Sequence, residues 1–550
     1  MFDSSLNPEQ RAADLARLNK EHFDVLVIGG GINGVGVALD AATRGLTVAL
    51  VESADFAAGT SSRSSKLIHG GLRYLEQYDF KLVREALHER ELLVSLLAPH
   101  LVKPVAFLYP LQEKVKERTY VGAGLALYDA LRGFKRALPG HKHLSHKTIA
   151  EIAPSLRTDV ITGAIRYFDA QVDDARHTMM IARTAKRHGA AIVTRAVVES
   201  LTKKGKRVTG AVITDLNSKK KVTVKASSVI MCAGVWSDEL HKKFGIEPGY
   251  EVKMSKGVHI TIPGDAINAS EGVIIKTAVS VLFIIPWKDQ WMIGTTDTEY
   301  LGDPNQPLAD RSDVQYIIDQ ANRVLSPRIN IDQVIGVFAG LRPLVANRKA
   351  TDTTKISREH TVDRPVPGFV SLAGGKYTTY RVMAKDAVDM ATNDITKLIS
   401  DSITSKLPII GADGYFALAQ QVEQLSAQYN LKPETITHLL DRHGSDISDL
   451  LALIDQDRKL AAPISRTLPY LKAELVYAVV SEGAQSISDV LERRTRIWFE
   501  APNFGVDFVN STADLIAPYL GWKAPQKKAS IKDYLDKVAA AEKSAANLVN

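Results

Sequence analysis

The sequence predicts an α/β protein with a Rossmann-type nucleotide-binding domain, an interleaved β-rich domain and a helical C-terminal domain. A glycine-rich turn joins an apolar, β-branched run to a helical pattern near the N-terminus. Strand patterns dominate from residue 251 to about residue 334, and residues 413–550 are mostly of helical spacing. A chain of 550 residues is long enough for two or three such domains.

The composition is that of a globular protein and favours an anionic lipid or substrate over nucleic acid. Hydrophobic residues make up 45% and charged residues 24%, which is typical of a globular protein with a substantial core. The one cysteine, Cys232, excludes an intramolecular disulfide and favours a reducing, cytoplasmic compartment. No apolar run approaches the ~18 residues that span a bilayer. The net charge of +7 favours an anionic lipid surface or an anionic substrate, and no nucleic-acid motif is present.

The first predicted unit is a βαβ motif that begins Phe23-Asp-Val-Leu-Val-Ile-Gly-Gly-Gly-Ile-Asn-Gly34. Gly29 permits a tight turn, Gly31 lets a pyrophosphate approach the backbone, and Gly34 lets the helix pack close to the strand. The helix N-terminus then offers N–H groups to phosphate. A second strand ends on Glu52, where a carboxylate can accept hydrogen bonds from ribose and disfavours the 2′-phosphate of NADP.

The next elements are predicted in chain order from periodicity and turn residues. Helices are expected at 79–97, from the Val172-Asp-Asp-Ala-Arg176 turn to about His188, at 308–325 and from about Thr378 to Asn393. Strands are expected at 102–109, 163–168, 190–194, 207–214, 221–230, 229–236, 258–262, 281–286, 291–294 and 334–339, and from Phe369 onward.

The loop after Glu52 distinguishes an FAD site from an NAD site. It is dense in hydroxyl and basic side chains, so it can follow a long cofactor and donate to phosphates and a flavin ring. Residues 60–76, Thr-Ser-Ser-Arg-Ser-Ser-Lys-Leu-Ile-His-Gly-Gly-Leu-Arg-Tyr-Leu-Glu, resemble the FAD-dependent glycerol-3-phosphate dehydrogenases of the respiratory chain. This family lies within the D-amino-acid-oxidase-like flavoproteins.

The resemblance implies a fold, a reaction and a place in the cell. FAD, expected to be non-covalent, would take a hydride from sn-glycerol 3-phosphate, leaving dihydroxyacetone phosphate. Electrons would pass to a membrane quinone, at the inner face of the cell membrane, and a homodimer is left open. The expected divisions are an N-terminal helical extension (1–22, starting near Pro8), FAD-binding segments (23–100, 160–250, 335–395), substrate segments (101–159, 251–334), a polar linker (396–412) and the helical domain (413–550).

The motif and the resemblance together give the expected cofactor-binding residues. They come from the glycine turn, the hydroxyl-rich loop and three later turns: Gly29, Gly31, Asn33, Gly34, Glu52, Thr60, Ser61, Ser62, Ser65, Lys66, His69, Gly70, Gly71, Val197, Ala233, Gly234, Trp236, Gly375, Lys376 and Thr378.

Two arginines are expected to bind the substrate phosphate, and a lysine is expected to face the substrate or the flavin. Arg342 follows an apolar strand and cannot lose its charge, so it needs an anion or a structural carboxylate. Arg358 matches the second substrate-binding arginine of the family, and its alternative is a surface charge. Lys376 follows a Gly-Gly turn at a strand end and can face either substrate or flavin.

The general base is expected to be a histidine. Taken alone, His259 in an alternating strand is better interpreted as a core histidine, but the resemblance makes it the first candidate. His69 is the second candidate, with a flavin-contacting loop residue as its alternative. Arg342 is expected to take part in catalysis, and Thr296 is expected to contact substrate. Asp297 could orient these groups or cap a turn.

Other functions stay open at this stage. A glycerol-3-phosphate oxidase that reduces oxygen to hydrogen peroxide would share every motif. A D-amino-acid or glycine oxidase would share the fold but should not need two phosphate-directed cations, and a non-catalytic flavin-binding or membrane-interaction protein is the third alternative. A metal site is not expected, because His141, His143 and His146 lie in a polar connection with no cysteine pair.

Residues 114–136 form a candidate membrane-surface helix. Cations stand at both ends (Lys114, Lys116 and Arg118; Arg132, Lys135 and Arg136), and Tyr120, Leu127, Leu131 and Phe134 recur at helical spacing. An interfacial helix needs this combination of apolar stripe and basic flanks. The alternative is an ordinary core-packed helix with solvated ends.

Overall fold

A computed structural model describes residues 4–75, 78–133, 137–277, 280–347 and 359–546. The strands, in chain order, are β1 (His22–Ile28), β2 (Val48–Val51), β3 (Leu67–Ile68), β4 (Lys103–Leu111), β5 (Lys142–Leu144), β6 (Gly163–Gln171), β7 (Ala191–Val193), β8 (Ala196–Lys204), β9 (Arg207–Asp215), β10 (Lys221–Met231), β11 (Tyr250–Pro263), β12 (Gly272–Lys276), β13 (Val281–Trp287), β14 (Gln290–Gly294), β15 (Thr298–Glu299), β16 (Gly336–Asn347), β17 (His360–Val366) and β18 (Phe369–Gly374).

The helices, in chain order, are α1 (Pro8–Lys20), α2 (Ile32–Thr43), α3 (Phe80–Leu92), α4 (Lys116–Leu131), α5 (His146–Ile152), α6 (Asp174–Arg187), α7 (Ser237–Phe244), α8 (Arg311–Ala321), α9 (Tyr380–Thr392), α10 (Tyr415–Ala419), α11 (Val422–Tyr429), α12 (Pro433–His443), α13 (Ile447–Gln456), α14 (Lys472–Val480), α15 (Ile497–Glu500), α16 (Val509–Ile516) and α17 (Ala524–Ala546). The predicted α/β class with a helical C-terminal region is confirmed.

The first sheet has the strand order β17-β18-β10-β1-β2-β7, with the β8–β9 hairpin attached to β10. The strands β18, β10, β1, β2 and β7 run parallel, so their carboxyl ends meet at one edge. Helices α2, α6 and α9 cover one face and bury an apolar cluster there. This is the Rossmann arrangement, and it places the glycine turn after β1 at the edge where such folds bind ligands.

The second sheet has the order β15-β11-β14-β13-β12-β4-β6-β3, with β16 paired to β11 and β5 to β6. Helix α8 packs on one face of this sheet over a cluster of isoleucines and valines. On the other face, aromatic side chains from β4, β13 and β16 form a second cluster. Strands β11 and β16 pair over most of their length, which fixes the side chains they carry relative to each other.

The C-terminal helices form two apolar clusters of their own and join the first sheet through buried ion pairs. Arg494 pairs with Asp55 at 2.8 Å, and Arg496 pairs with Asp173 at 2.9 Å. The segment 396–412, expected to be a polar linker, is exposed in its first part, where Leu398 is fully exposed, and packed at its end. Ile409 and Ile410 are buried in the core of the first sheet.

Helix α4 departs from the expected pattern at its C-terminal end. Arg132 is buried and pairs with Glu91 at 3.1 Å and with Asp129 at 3.3 Å. It therefore stabilises the following turn and does not face a membrane. Lys135 and Arg136 lie outside the described residues. Among the described residues, no helix combines the length and the apolar character needed to cross a bilayer.

Candidate active site

A cavity of about 1100 Å³ lies between the two sheets, at the carboxyl edge of the parallel strands. Its walls come from the glycine turn, the hydroxyl-rich loop, strands β11 and β16, the turn after β18, and the C-terminal helices. Regions far apart in the sequence thus form one site.

The glycine turn leaves space where a cofactor phosphate would lie. Gly31 caps the N-terminus of α2 with an ordinary extended φ of −75°, and the Ser61 hydroxyl accepts a hydrogen bond from the next N–H, that of Ile32, at 2.9 Å. A Cβ on Gly31 would meet only the Ser61 hydroxyl, at 3.2 Å. By contrast, a Cβ on Gly34 would lie 1.9 Å from the carbonyl oxygen of Gly29. Gly31 therefore keeps the cavity open, whereas Gly34 permits close strand–helix packing.

Glu52 lies at the far end of this turn. Its carboxylate accepts a hydrogen bond from the Gly30 N–H at 2.6 Å and one from the Ala54 N–H at 2.7 Å. Burial raises the pKa of Glu52 against the lowering effect of these backbone donors. The carboxylate is thus fixed beside the cavity at the end of β2, where a ribose hydroxyl would lie.

Most residues predicted to bind the cofactor line the cavity. They are Gly29, Gly31, Asn33, Glu52, Thr60, Ser61, Ser62, Ser65, His69, Val197, Ala233, Gly234, Trp236, Gly375, Lys376 and Thr378. The unfilled cradle at Gly31, the helix N-terminus and the volume of the cavity fit an adenine dinucleotide carrying a flavin.

Three predicted glycines lie behind the cavity wall. Gly34 packs against Gly29, as described above. Gly70 donates its N–H to the Tyr128 hydroxyl at 2.9 Å, and a Cβ there would strike Leu87. Gly71 has a left-handed φ of +76° beside Tyr74. These glycines shape the loop and do not line the cavity.

Lys66 and Thr296 also lie behind the wall. The Lys66 ammonium is fully buried, pairs with Asp174 at 3.1 Å and donates to the Ser62 carbonyl at 3.1 Å. Burial and the Arg496 charge lower the pKa of Lys66 to about 8, although Asp174 opposes them. The Thr296 hydroxyl accepts from the Val258 N–H at 3.0 Å. Both side chains bond to other groups of the protein and do not line the cavity.

Arg342 lines the cavity and is held by the turn after β14. Its guanidinium donates to the Thr295 hydroxyl at 2.9 Å and to the Thr296 carbonyl at 3.1 Å, and it pairs with Asp297 at 3.4 Å. A Cβ on Gly257 would lie 2.5 Å from this guanidinium, so the glycine lets the arginine cross β11. The arrangement fixes a permanent cation at the cavity wall. Arg358 lies outside the described residues.

His259 lies on β11, close enough to Arg342 of β16 for the arginine charge to act on its ring. Its Nε2 is 2.9 Å from the Ser65 hydroxyl, and its ring stacks on Phe338 with centroids 4.9 Å apart and planes 8° apart. Nδ1 is buried and has no hydrogen-bond partner among the described residues. Burial, together with the charges of Lys66 and Arg342, lowers the pKa of His259 well below its usual range. The imidazole is therefore neutral near pH 7 and able to accept a proton.

Lys376 and His69 are the remaining residues expected to bind substrate or to act as the base. The Lys376 ammonium lies 3.6 Å from the centre of the Tyr74 ring, at the start of the turn after β18. The backbone of His69 exchanges hydrogen bonds with the Thr378 hydroxyl, at 3.2 Å and 3.3 Å. The structure thus brings His259, His69, Arg342 and Lys376 into the walls of one cavity.

Sequence reasoning missed the contribution of the C-terminal helices. Arg496, Trp498 and Phe499 line the cavity, as do Phe338 of β16 and Arg63 of the loop. One signal was present: Arg493-Arg494-Thr-Arg496 stands among apolar residues, and buried arginines require carboxylates. The sequence does not say which carboxylates these are.

The histidine cluster in the polar connection forms no site. His141 pairs through Nδ1 with Asp129 at 2.7 Å, and its ring packs edge-on against His143. Within the described ranges, no group of histidine, cysteine and carboxylate side chains is arranged to hold a metal ion.

Two family models match the chain. One, described as FAD dependent oxidoreductase, matches residues 24–389, and the other, described as the C-terminal domain of alpha-glycerophosphate oxidase, matches residues 402–527. Glycerol-3-phosphate dehydrogenase 2 of Mycobacterium tuberculosis is 48% identical over 537 residues, covering 98% of this chain and 92% of the relative. The mitochondrial glycerol-3-phosphate dehydrogenase of Homo sapiens is 35% identical over 547 residues, covering 96% and 74%.

Solved structures give the same architecture. The glycerol-3-phosphate dehydrogenase of Bacillus halodurans complexed with FAD aligns over 98% of both chains, with a TM-score of 0.78 and 27% identity. The L-alpha-glycerophosphate oxidase of Mycoplasma pneumoniae with FAD bound aligns over 71% of this chain and 99% of its own, with a TM-score of 0.56. At 18% identity, the second likeness shows the fold alone.

Proposed function

Because this chain belongs to the FAD-dependent oxidoreductases that carry the glycerophosphate-oxidase C-terminal domain, we propose that it oxidises sn-glycerol 3-phosphate to dihydroxyacetone phosphate. The family predicted from residues 60–76 is thereby confirmed, and the cofactor is FAD. The observation that carries the proposed reaction is a neutral histidine beside a fixed arginine, both in the wall of a dinucleotide cavity.

Arg342 and Lys376 have the chemistry required to bind the substrate phosphate. Both are cations in the cavity wall, and the turn 295–297 holds the arginine before substrate arrives. Charge-assisted hydrogen bonds from such groups are about twice as strong as neutral ones. A D-amino-acid or glycine substrate would leave these cations without a phosphate, so the phosphorylated alcohol is favoured.

His259 is proposed as the general base that takes the proton of the C2 hydroxyl. Its neutral ring lies in the cavity wall and can accept a proton. Lys66 and Arg342 disfavour the imidazolium form, which favours release of the proton after the reaction. When bound, FAD supplies the hydride acceptor.

Anaerobic mixing with glycerol 3-phosphate tests the reaction. The flavin absorbance of the holoenzyme near 450 nm should bleach with a saturable rate, and glycerol without phosphate should bleach it far more slowly. If glycerol 3-phosphate leaves the spectrum unchanged while a D-amino acid or glycine bleaches it, the substrate assignment is wrong.

A membrane quinone is proposed as the electron acceptor, and oxygen is the second candidate. The match to a domain described from an alpha-glycerophosphate oxidase favours considering oxygen. The two acceptors are separated by reducing the enzyme with substrate and then mixing it with a short-chain quinone or with oxygenated buffer. Reoxidation that is faster with oxygen, with hydrogen peroxide released, would replace the dehydrogenase proposal by an oxidase.

A quinone acceptor requires contact with a bilayer, and α4 is the proposed contact on the cytoplasmic face of the cell membrane. Tyr120 and Leu127 are 62% and 40% exposed on one side of this helix, and Val115 before it is 73% exposed. Lys114 and Lys116 are exposed at the same end and supply charge for anionic lipid. Arg132 is buried and supplies no charge to the lipid, so the proposed contact depends on the N-terminal lysines.

A further inference from the structure

A side chain of the C-terminal domain reaches the proposed base through one intervening ring. Phe499 lies on the helical turn α15 and is only 3% exposed. Its ring centre is 5.2 Å from that of Phe338, which stacks on His259. The three rings form a continuous row from the C-terminal domain to the imidazole, with Phe338 in the middle.

The backbone of Phe499 is tied to the strands that carry this row. Its carbonyl accepts a hydrogen bond from the Thr261 hydroxyl at 3.0 Å. Thr261 lies two residues after His259 on β11, so both side chains are on the same face of the sheet. A Cβ on Gly336 would lie 2.7 Å from the same carbonyl, so this glycine lets the C-terminal chain approach β16.

The next residue anchors the turn from the other side. The Glu500 carboxylate accepts hydrogen bonds from the Trp287 indole at 2.9 Å and from the Tyr470 hydroxyl at 2.8 Å, and it pairs with Lys288 at 2.9 Å. Trp287 lies on β13 and Lys288 in the turn after it, whereas Tyr470 belongs to the C-terminal domain. Phe499 is therefore held between both parts of the molecule.

Two buried cations, Lys66 and Arg496, pack against the phenyl rings of this row. The Lys66 ammonium lies 4.9 Å from the centre of the Phe338 ring and 5.1 Å from that of Phe499. Arg496 covers the Phe499 ring at 5.5 Å and pairs with Asp173. The two phenyl rings are thus packed on His259 at one end and on buried cations at their faces.

We propose that Phe499 is a positioning residue for the oxidation, because it holds Phe338 against His259 and so fixes the imidazole beside Ser65. This role rests on the proposed function of His259 as general base. A proton acceptor displaced by about 1 Å can cost a reaction up to ~10²-fold in rate. The C-terminal domain thereby contributes to the chemistry as well as to the cavity wall.

Phe499→Leu is the test, and Phe508→Leu is its matched control. Phe508 is partly buried and packs against the C-terminal apolar cluster, so the control makes the same change in the same domain. In Phe499→Leu the limiting rate of anaerobic flavin bleaching by glycerol 3-phosphate should fall roughly tenfold, with the apparent dissociation constant of substrate unchanged. The control should keep the parental rate, and Phe499→Tyr, which retains the ring, should recover most of it.

Phe338→Leu gives a second measurement if Phe499→Leu fails to fold or to hold flavin. It should reduce the rate similarly, and a foldable double variant should fall no further than the lower single variant. The proposal is overturned if Phe499→Leu bleaches at the parental rate, or if Phe508→Leu loses as much. Failure of the parent itself to bleach would instead refute the proposed function.

A readout independent of substrate is the titration of His259 followed by NMR, with the resonance assigned from His259→Gln. The charged groups that face the ring are Lys66 and Arg342, and Asp174 and Arg496 flank Lys66. Loss of the Phe499 ring should admit water and raise the pKa of His259 toward its usual value. An unchanged titration in a folded Phe499→Leu protein would overturn the proposal.

Discussion

Gly31 and Gly34 belong to one motif, but substitution of Gly31 should remove FAD binding whereas substitution of Gly34 should lower the stability of the fold. Gly31 has a φ that any residue adopts, and its missing Cβ points toward the Ser61 hydroxyl and the open cavity. Gly31→Val should therefore fold and lose FAD, because its side chain occupies space intended for the pyrophosphate. Gly34→Ala should fail earlier, because its Cβ would lie 1.9 Å from the Gly29 carbonyl oxygen.

The size of each effect follows from these distances. Relieving the contact at Gly34 requires α2 to withdraw from β1 by more than ~1 Å, since non-bonded atoms rest near 3.5 Å. Such overpacking costs about 1–3 kcal/mol or more when the neighbour is backbone. At Gly31, valine is a poorer N-cap residue than glycine, and the replacement costs about 1 kcal/mol. Flavin content is measured from the 450 nm to 280 nm absorbance ratio, and stability from thermal unfolding.

The comparison needs two references. Bound FAD itself stabilises the folded state, so Gly31→Val must be compared with deflavinated parent enzyme. Gly45→Ala is the matched control: this glycine has a left-handed φ of +79° and no atom within 4 Å of its Cβ position, so strain alone should cost about 1–2 kcal/mol. A Gly31→Val protein that retains full flavin, or a Gly34→Ala protein as stable as the deflavinated parent, would refute the reasoning.

Three further results are expected. Arg342→Ala should weaken glycerol 3-phosphate binding by roughly 10- to 150-fold, from a lost charge-assisted contact of about 1.5–3 kcal/mol, and steady-state kinetics with glycerol should be little affected. The pKa of His259 is lower in the folded than in the unfolded state, so the unfolded state takes up the proton first as pH falls and the folded state loses stability. Below the usual histidine pKa, the free energy of unfolding measured with urea should therefore fall by about 1.4 kcal/mol less per pH unit in His259→Gln than in the parent. Co-sedimentation with anionic vesicles should fall in the Tyr120→Ser/Leu127→Ser variant but not in Leu398→Ser, the control, which changes a fully exposed residue elsewhere. Equal binding by both variants would exclude α4 as the membrane contact.

Local motifs were predictable because their physical requirements are local. The roles predicted for Gly31 and Gly34 depend on one turn between adjacent elements, where the Cβ position of Gly31 meets only the Ser61 hydroxyl and that of Gly34 meets the Gly29 carbonyl. Arg342 could be predicted as a cation that needs an anion, but its partners could not. Asp297 and the turn around Thr295 reach it only through the pairing of β11 with β14 and β16.

The C-terminal contribution lay beyond such reasoning, because it depends on contacts between residues hundreds of positions apart. Arg494 pairs with Asp55, which follows β2, and Arg496 pairs with Asp173 and Asp174 at the start of α6. These carboxylates stand beside the cavity edge of the first sheet. Breaking a buried pair from one side leaves an uncompensated charge and costs about 3–5 kcal/mol. The ion pairs therefore couple the docking of the C-terminal domain to the integrity of the cavity, which is the condition for Phe499 to act on His259.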